Sequence, residues 1–352
     1  MRPARVLAVV KADAYGHGAV EVARALEPEG VAGFGVATLR EGVELREAGI
    51  AAPVQVLSPV PEDGLAILSE RRLTPVVSSL RQLERLAARI AAEGLTLPIH
   101  LKFDTGMTRL GIDPADAGEA FDRLEKSNAL KLEGVLSHLA EAETPESRAN
   151  AEQISLFDEL LSQLSARTRA PIVRHLANSA AALHLPQARF DQVRLGISLY
   201  GYDSASWTAP AIALEPVMSV RAEIVEVRET PSGRRVGYGG RFEVSRASQI
   251  AIVPLGYADG YSWRLGTHAE VLLRGRRSPV AGSVSMDLTA IDATQVGGEV
   301  GDSVTLLGAQ GAERITAVEL AAHVGSIPYQ LLCLFGLRLP RRFVHGEPGG
   351  GR

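Results

Sequence analysis

The sequence predicts an α/β protein, a (β/α)8 barrel followed by a mostly β C-terminal domain, and three observations carry that expectation. From the start to about residue 200, short apolar runs alternate with amphipathic stretches, as in repeated strand–helix units around a parallel sheet. The apolar runs number eight, which suits a closed barrel better than an open sheet. Past that point the chain turns to alternating apolar and polar residues with Gly-rich turns, the signature of half-buried antiparallel strands. The boundary is placed so that residues 1–212 form the barrel and 213–352 the second domain.

The eight runs are Val6 to Val10, Gly33 to Ala37, Pro53 to Leu57, Leu73 to Val77, Pro98 to Phe103, Leu132 to Leu136, Ile172 to Arg174 and Gln192 to Leu195. Between them, Leu39 to Gly49 repeats apolar residues at three and four and closes on a glycine, so it reads as a helix. Leu80 to Ala92 and Ala149 to Leu164 repeat the pattern. In the second domain Met218 to Arg228 reads as one half-buried strand, with shorter strands at Ile250 to Pro254, Glu270 to Leu273, Ser278 to Ala281 and Asp302 to Leu307. Gly346 to Arg352 reads as a flexible tail without a chemical signal.

Composition narrows the function. Apolar residues make up 46% and charged residues 22%, an ordinary globular mix that excludes a disordered chain. The net charge is only −4, and Lys and Arg are scattered, so no footprint for nucleic acid or an anionic membrane is present and a small molecule is the expected partner. Cys333 is the single cysteine, which excludes an intrachain disulfide and, without a His/Cys cluster, argues against a metal site. The apolar stretch before Lys11 is too short for a signal-peptide core, and no run approaches the roughly 18 apolar residues of a membrane span, so the cytoplasm is the expected location.

In a barrel, chemistry gathers where the strands end. Lys11 directly follows the first strand, at what should be a buried mouth, and a desolvated amine near other cations becomes a nucleophile toward an aldehyde. Tyr15 lies four residues on. Phosphate is expected after strands seven and eight, where the chain offers Ser179 and, after Arg194, the backbone of Gly196 and Ile197. Asn178 or Ser179 has an ordinary reading as a helix N-cap as well. Strands five and six end in the segments that carry Lys102, Arg109 and His138.

Taken in order, these segments resemble the alanine racemases, a fold-type III pyridoxal-phosphate family. The resemblance rests on Ala8 to Gly18, Lys102 to Gly111, Asn178 to Ala181, Val193 to Ile197 with Tyr200 and Gly201, Gly256 to Gly260, Ser285 to Asp287, and Tyr329 with Arg338 to Arg341. It implies that Lys11 binds the pyridoxal phosphate and acts as acid and base on one face of the substrate α-carbon. Tyr257 of the second subunit of a homodimer would be the base on the other face. Tyr15, Ser179, Tyr329, Gly196 and Ile197 would hold the phosphate, Arg194 would face the pyridine nitrogen, and His138 would lie beside the ring. Arg109 and the partner's Met286 backbone would meet the substrate carboxylate, and Lys102 matches a position that is carbamylated in some members.

The implied chemistry is coherent. Racemisation removes a proton from one face of a carbon and returns one to the other, so two bases must flank it. An arginine beside the ring nitrogen leaves that nitrogen unprotonated and weakens the ring as an electron sink. Two departures stand out: Ser285 where some members have cysteine, and only ten residues before Lys11 where members usually carry a strand and a helix. The second implies a late-assigned start or a truncated product, with an exposed apolar patch over the seam between strands eight and one. Two alternatives stay open: a racemase for serine or a broader range of amino acids, and a non-catalytic pyridoxal-phosphate-binding dimer.

Overall fold

The computed structural model describes residues 4–168, 170–207, 212–336 and 338–344. The tail expected from Gly346 to Arg352 lies outside the described residues. The chain forms two compact units, one made of the segments up to Ala14 and from Gly18 to Glu215, the other of Tyr15–His17 and the chain from Pro216 on. Among the described residues no single helix is long and apolar enough to cross a membrane.

In the first unit, eight parallel strands follow the order expected: β1 (Arg5–Val9), β2 (Gly33–Val36), β3 (Val54–Val56), β4 (Leu73–Val77), β5 (Leu97–Lys102), β6 (Leu130–Leu136), β7 (Val173–His175) and β8 (Gln192–Leu195). Each pairs with the next from β1 to β7, and β8 pairs with β1. The ring closes between β7 and β8 through two backbone bonds, from Asp191 N–H to the Arg174 carbonyl (3.0 Å) and from Arg194 N–H to the Ala177 carbonyl (2.9 Å). Burial on both faces explains why the strands read as continuous apolar runs: Leu7, Ala8, Val54, Val76, Val77, Ile99 and Leu101 are almost fully buried.

Helices α1 (Lys11–Gly16), α2 (Ala19–Leu26), α3 (Leu39–Glu47), α4 (Leu65–Glu70), α5 (Leu80–Ala92), α6 (Ala117–Glu125), α7 (Arg148–Arg167) and α8 (Ser179–His184) occupy the connections. α5 spans the range read from the sequence; α3 ends in a left-handed Gly49, the stop its glycine signalled. No α-helix follows β8 directly; a 3-10 turn at Ile197–Tyr200 does, and the Tyr200 hydroxyl donates to the Val9 carbonyl at 3.0 Å. Among the described residues the β8–β1 seam shows no exposed apolar patch of the kind expected: Ala8 and Val193 are buried and Val6 and Leu195 half-buried.

The second unit is mostly β. Met218 to Arg228, expected as one strand, is two: β9 (Val220–Glu223) pairs with the strand at Ser303–Gln310, and β10 (Glu226–Thr230) pairs with that at Ser248–Val253. Ile224 and Val225 form the crossing, their N–H groups donating to Asp302 and Ile252, one on each side. Alternation continues through the crossing, so the pattern alone could not show that the chain changes sheets. Short helices at Ala317–Val324 and Pro328–Leu334 complete the unit.

Candidate active site

Lys11 stands two residues past the end of β1 and opens α1, whose residues Ala12, Asp13, Ala14 and Tyr15 all have φ between 52° and 55°. This is a left-handed turn made of L-residues, each of which costs roughly 1–2 kcal/mol in that conformation. Such a run persists only where the surroundings dictate it. Ala14 N–H donates to the Val10 carbonyl, Ala19 N–H to the Asp13 carboxylate, and Ala12 N–H to Glu41 Oε1 at 2.7 Å. Glu41 is also the capping-box residue of α3, with its other oxygen accepting from Ala37 and Thr38, so one carboxylate ties the turn to the next strand–helix junction. Lys11 itself is exposed, not buried as its place after a barrel strand led one to expect.

Arg194, on β8, is 5% exposed and points into the barrel. Its Nη1 donates to the His175 carbonyl at 2.8 Å and lies 3.2 Å from His175 Nδ1. Its Nη2 reaches the carbonyls of Ser137 (2.8 Å) and Leu176 (2.7 Å) and lies 3.1 Å from His138 Nδ1. Because a guanidinium only donates, both imidazole Nδ1 atoms must accept, and each ring carries its proton on Nε2. His175 Nε2 is 2.8 Å from His100 Nδ1, which then accepts, and His100 Nε2 is 3.4 Å from the Gln55 amide. The chain of donors therefore runs one way, from Arg194 through His175 to His100, and Gln55 can accept the His100 Nε2–H only with its amide turned to present Oε1, which otherwise has no partner among the described residues. Burial, and after it the charge of Arg194 on His138 and His100 and of His100 on His175, depresses all three imidazoles, His100 to about 4, so they are neutral at pH 7. Gly134 on β6 makes room for the relay, since a Cβ there would come within 2.2 Å of His100 Nδ1. Nε of Arg194 has no acceptor among the described residues.

After β7 and β8 the polar groups converge. Ser179, 4% exposed at the start of α8, accepts from Gly196 N–H (2.9 Å) and lies 3.1 Å from the Ser198 hydroxyl. Ile197 N–H has no acceptor among the described residues, and Asn178 is the N-cap, accepting from Ala181 N–H. Two hydroxyls and adjacent backbone N–H groups are what an anion requires. Ser198 was not singled out in the sequence, because a serine within a 3-10 turn has no motif of its own.

Lys102 ends β5 and is 8% exposed, and its amine makes no hydrogen bond or ion pair among the described residues. Burial first, then Arg194 and Arg109, lower its pKa to about 8 against a smaller opposing effect of Asp104. The Arg109 guanidinium is exposed and also unpaired among the described residues. Lys102, Arg109, Arg194, His138 and Lys11 thus act on one another electrostatically within the first unit.

The remaining expected residues lie in the second unit. Tyr257 (43% exposed) and Met286 (53% exposed) sit on two loops zipped together by Tyr257 N–H to the Ser285 carbonyl and Ala258 N–H to the Met286 carbonyl, both 3.0 Å. Only glycine permits that approach, as a Cβ at Gly256 would come within 2.3 Å of the Ser285 carbonyl oxygen. Arg338 bridges Asp259 and Asp287 across the two loops, which gives these motif residues a structural role. Met286 N–H has no acceptor among the described residues. Tyr15 and Tyr329 pack with ring centroids 6.2 Å apart, and burial raises the Tyr15 hydroxyl well above its ordinary pKa.

A barrel that gathers a lysine, two arginines, neutral histidines and an anion cradle at the carboxyl ends of its strands is built as an enzyme of small molecules. Comparison with known proteins agrees. The alanine racemase N-terminal domain family matches residues 1–204 and the alanine racemase C-terminal domain family residues 217–343. The chain is 42% identical to the alanine racemase of Sorangium cellulosum over 96% of its own length and 91% of that protein's, and 40% identical to that of Thermodesulfovibrio yellowstonii over 97% and 91%. Among solved structures, the alanine racemase of Streptomyces lavendulae superposes with a TM-score of 0.91 at 34% identity, covering 98% of this chain and 91% of that one. The Bacillus anthracis alanine racemase with bound L-Ala-P gives 0.90 at 33%, covering 98% and 89%. The chain belongs to the alanine racemase family.

Proposed function

We propose that this protein interconverts L- and D-alanine with pyridoxal phosphate, as a homodimer in the cytoplasm that supplies D-alanine for peptidoglycan. The cofactor needs an amine for its aldehyde, an anion cradle for its phosphate and a partner for its ring nitrogen, and the residues present fit each need. Lys11 offers the amine. Ser179, Ser198 and the Gly196–Ile197 backbone offer the cradle, to which the family resemblance adds Tyr15 and Tyr329. Arg194 offers Nε, its one N–H group without an acceptor among the described residues, and that is the observation that carries the reading.

When bound, the cofactor withdraws electron density from the bond to the substrate α-hydrogen. The chain supplies the rest. Lys11 Nζ moves a proton on one face of the α-carbon, and the Tyr257 hydroxyl of the partner subunit moves one on the other. Arg109, with the Met286 N–H of the partner subunit, holds the substrate carboxylate. Burial lowers Arg194 only to about 10, so it stays charged at neutral pH and can give the ring nitrogen a hydrogen bond but not a proton. That limits proton return to other atoms and so disfavours transamination. His138 and His175 can stand against this charge because they are neutral.

The test is a D-amino-acid assay of the purified holoprotein against each L-amino acid, with the near-visible absorbance of the bound cofactor recorded alongside. Alanine should be turned over best, and Lys11→Ala should abolish both the turnover and that absorbance. Faster turnover of serine or another amino acid would move the substrate assignment, and a Lys11→Ala protein that keeps both signals would overturn the role of Lys11.

A further inference from the structure

Arg109 is carried by the loop between Phe103 and Ile112, and that loop is folded around one side chain. Asp104 Oδ1 accepts from the N–H groups of Gly106 (2.9 Å), Met107 (2.8 Å) and Thr108 (3.0 Å), and its Oδ2 accepts from Arg109 N–H (3.1 Å). The ends of the loop are paired, Asp104 N–H to the Ile112 carbonyl at 3.0 Å and Ile112 N–H to the Lys102 carbonyl at 2.8 Å. Thr108 is left-handed at φ 55°, and Gly111 passes so close that a Cβ would lie 2.3 Å from Asp104 N. The neighbouring Thr105 hydroxyl is fixed by Ser137 and Gln153.

An acid five residues from an arginine in the same loop is placed to pair with it and quench it. Here it does not: both oxygens of Asp104 are taken by backbone N–H groups, while the Arg109 guanidinium makes no ion pair among the described residues. Burial would raise the Asp104 carboxyl, but the four N–H groups outweigh that and hold it below its ordinary value.

We propose that Asp104 is the positioning residue for Arg109, its carboxylate fixing the loop backbone so that the guanidinium is left for the substrate carboxylate. This rests on the reading of Arg109 as the carboxylate ligand. An asparagine at 104 keeps one accepting oxygen and turns an NH2 toward N–H groups that need an acceptor, so the loop loses its frame without losing much volume.

The experiment measures, for the holoenzyme, KM and kcat with L-alanine and the dissociation constant of propionate, the substrate skeleton without its amine, by titration calorimetry. Asp104→Asn should raise KM and the propionate constant about tenfold, with a smaller change in kcat, as expected for loss of charge-assisted bonds that orient a ligand. Arg109→Gln should raise both at least as much, and adding Asp104→Asn to it should change neither further. Wild-type propionate binding in Asp104→Asn, or a full additional loss in the double variant, overturns the inference. An unchanged propionate constant in Arg109→Gln instead overturns the reading of Arg109 itself. Should Asp104→Asn fail to fold, Asp104→Glu, whose carboxylate is displaced by one methylene, serves in the same measurements; there too a rise in both constants is expected, and wild-type values would overturn the inference.

Discussion

Lys102 is the residue whose surroundings are hardest to reconcile with a permanent charge. It is nearly buried, its amine makes no ion pair among the described residues, and Arg194, Arg109 and Lys11 disfavour its protonated form against a smaller opposing effect of Asp104. A lysine whose folded pKa lies below its ordinary value destabilises the protein while both states are protonated, and that penalty fades as pH rises through the folded pKa of about 8. Reaction of the neutral amine with carbon dioxide, which forms an N–C bond and releases a proton, would put an anion in the same place and give Arg109 a partner. With 13C-labelled bicarbonate, a carbamate carbon signal should appear in the folded protein, grow as pH rises through 8, and be missing from Lys102→Ala. A signal that survives the substitution, or none in the parent protein, would mean that Lys102 stays an amine. Lys102 stood out in the sequence because it ends a strand. The relay behind Arg194 did not, because His100 and His175 stand 75 residues apart and nothing local couples them.

Among the elements, the barrel strands were the most legible, since a parallel strand buried on both faces leaves an unbroken apolar run. The left-handed turn at Lys11–Gly16 was illegible for the opposite reason: Lys-Ala-Asp-Ala-Tyr contains nothing that asks for positive φ, and Glu41, which helps impose it, lies 29 residues from Ala12. The strain is local and can be relieved. Ala12 is exposed, and its bond to Glu41 uses the backbone N–H, so Ala12→Gly keeps every contact while removing the Cβ penalty. That substitution should stabilise the protein by about 1 kcal/mol in denaturant unfolding. Unchanged or reduced stability would show that the turn is not strained at this residue. The split of Met218 to Arg228 into two strands is the complementary lesson, as period-two patterning records which face is buried but not which sheet the face belongs to.

At the scale of the whole molecule, the second unit presents Tyr257 and Met286 side by side and exposed, on loops that Arg338 and Gly256 lock together. An exposed phenol and a backbone N–H without an acceptor among the described residues suit a site completed across a homodimer, and two-base racemisation needs both bases in every working site. The most direct test mixes a Lys11→Ala chain with a Tyr257→Ala chain, each inactive alone, under conditions of demonstrated subunit exchange. Half of the dimers are then hybrids, each with one site that carries both native residues, so the mixture should recover about a quarter of the parent activity. No recovery despite exchange would mean that each chain builds its own site, and the assignment of Tyr257 to the partner's substrate would be wrong.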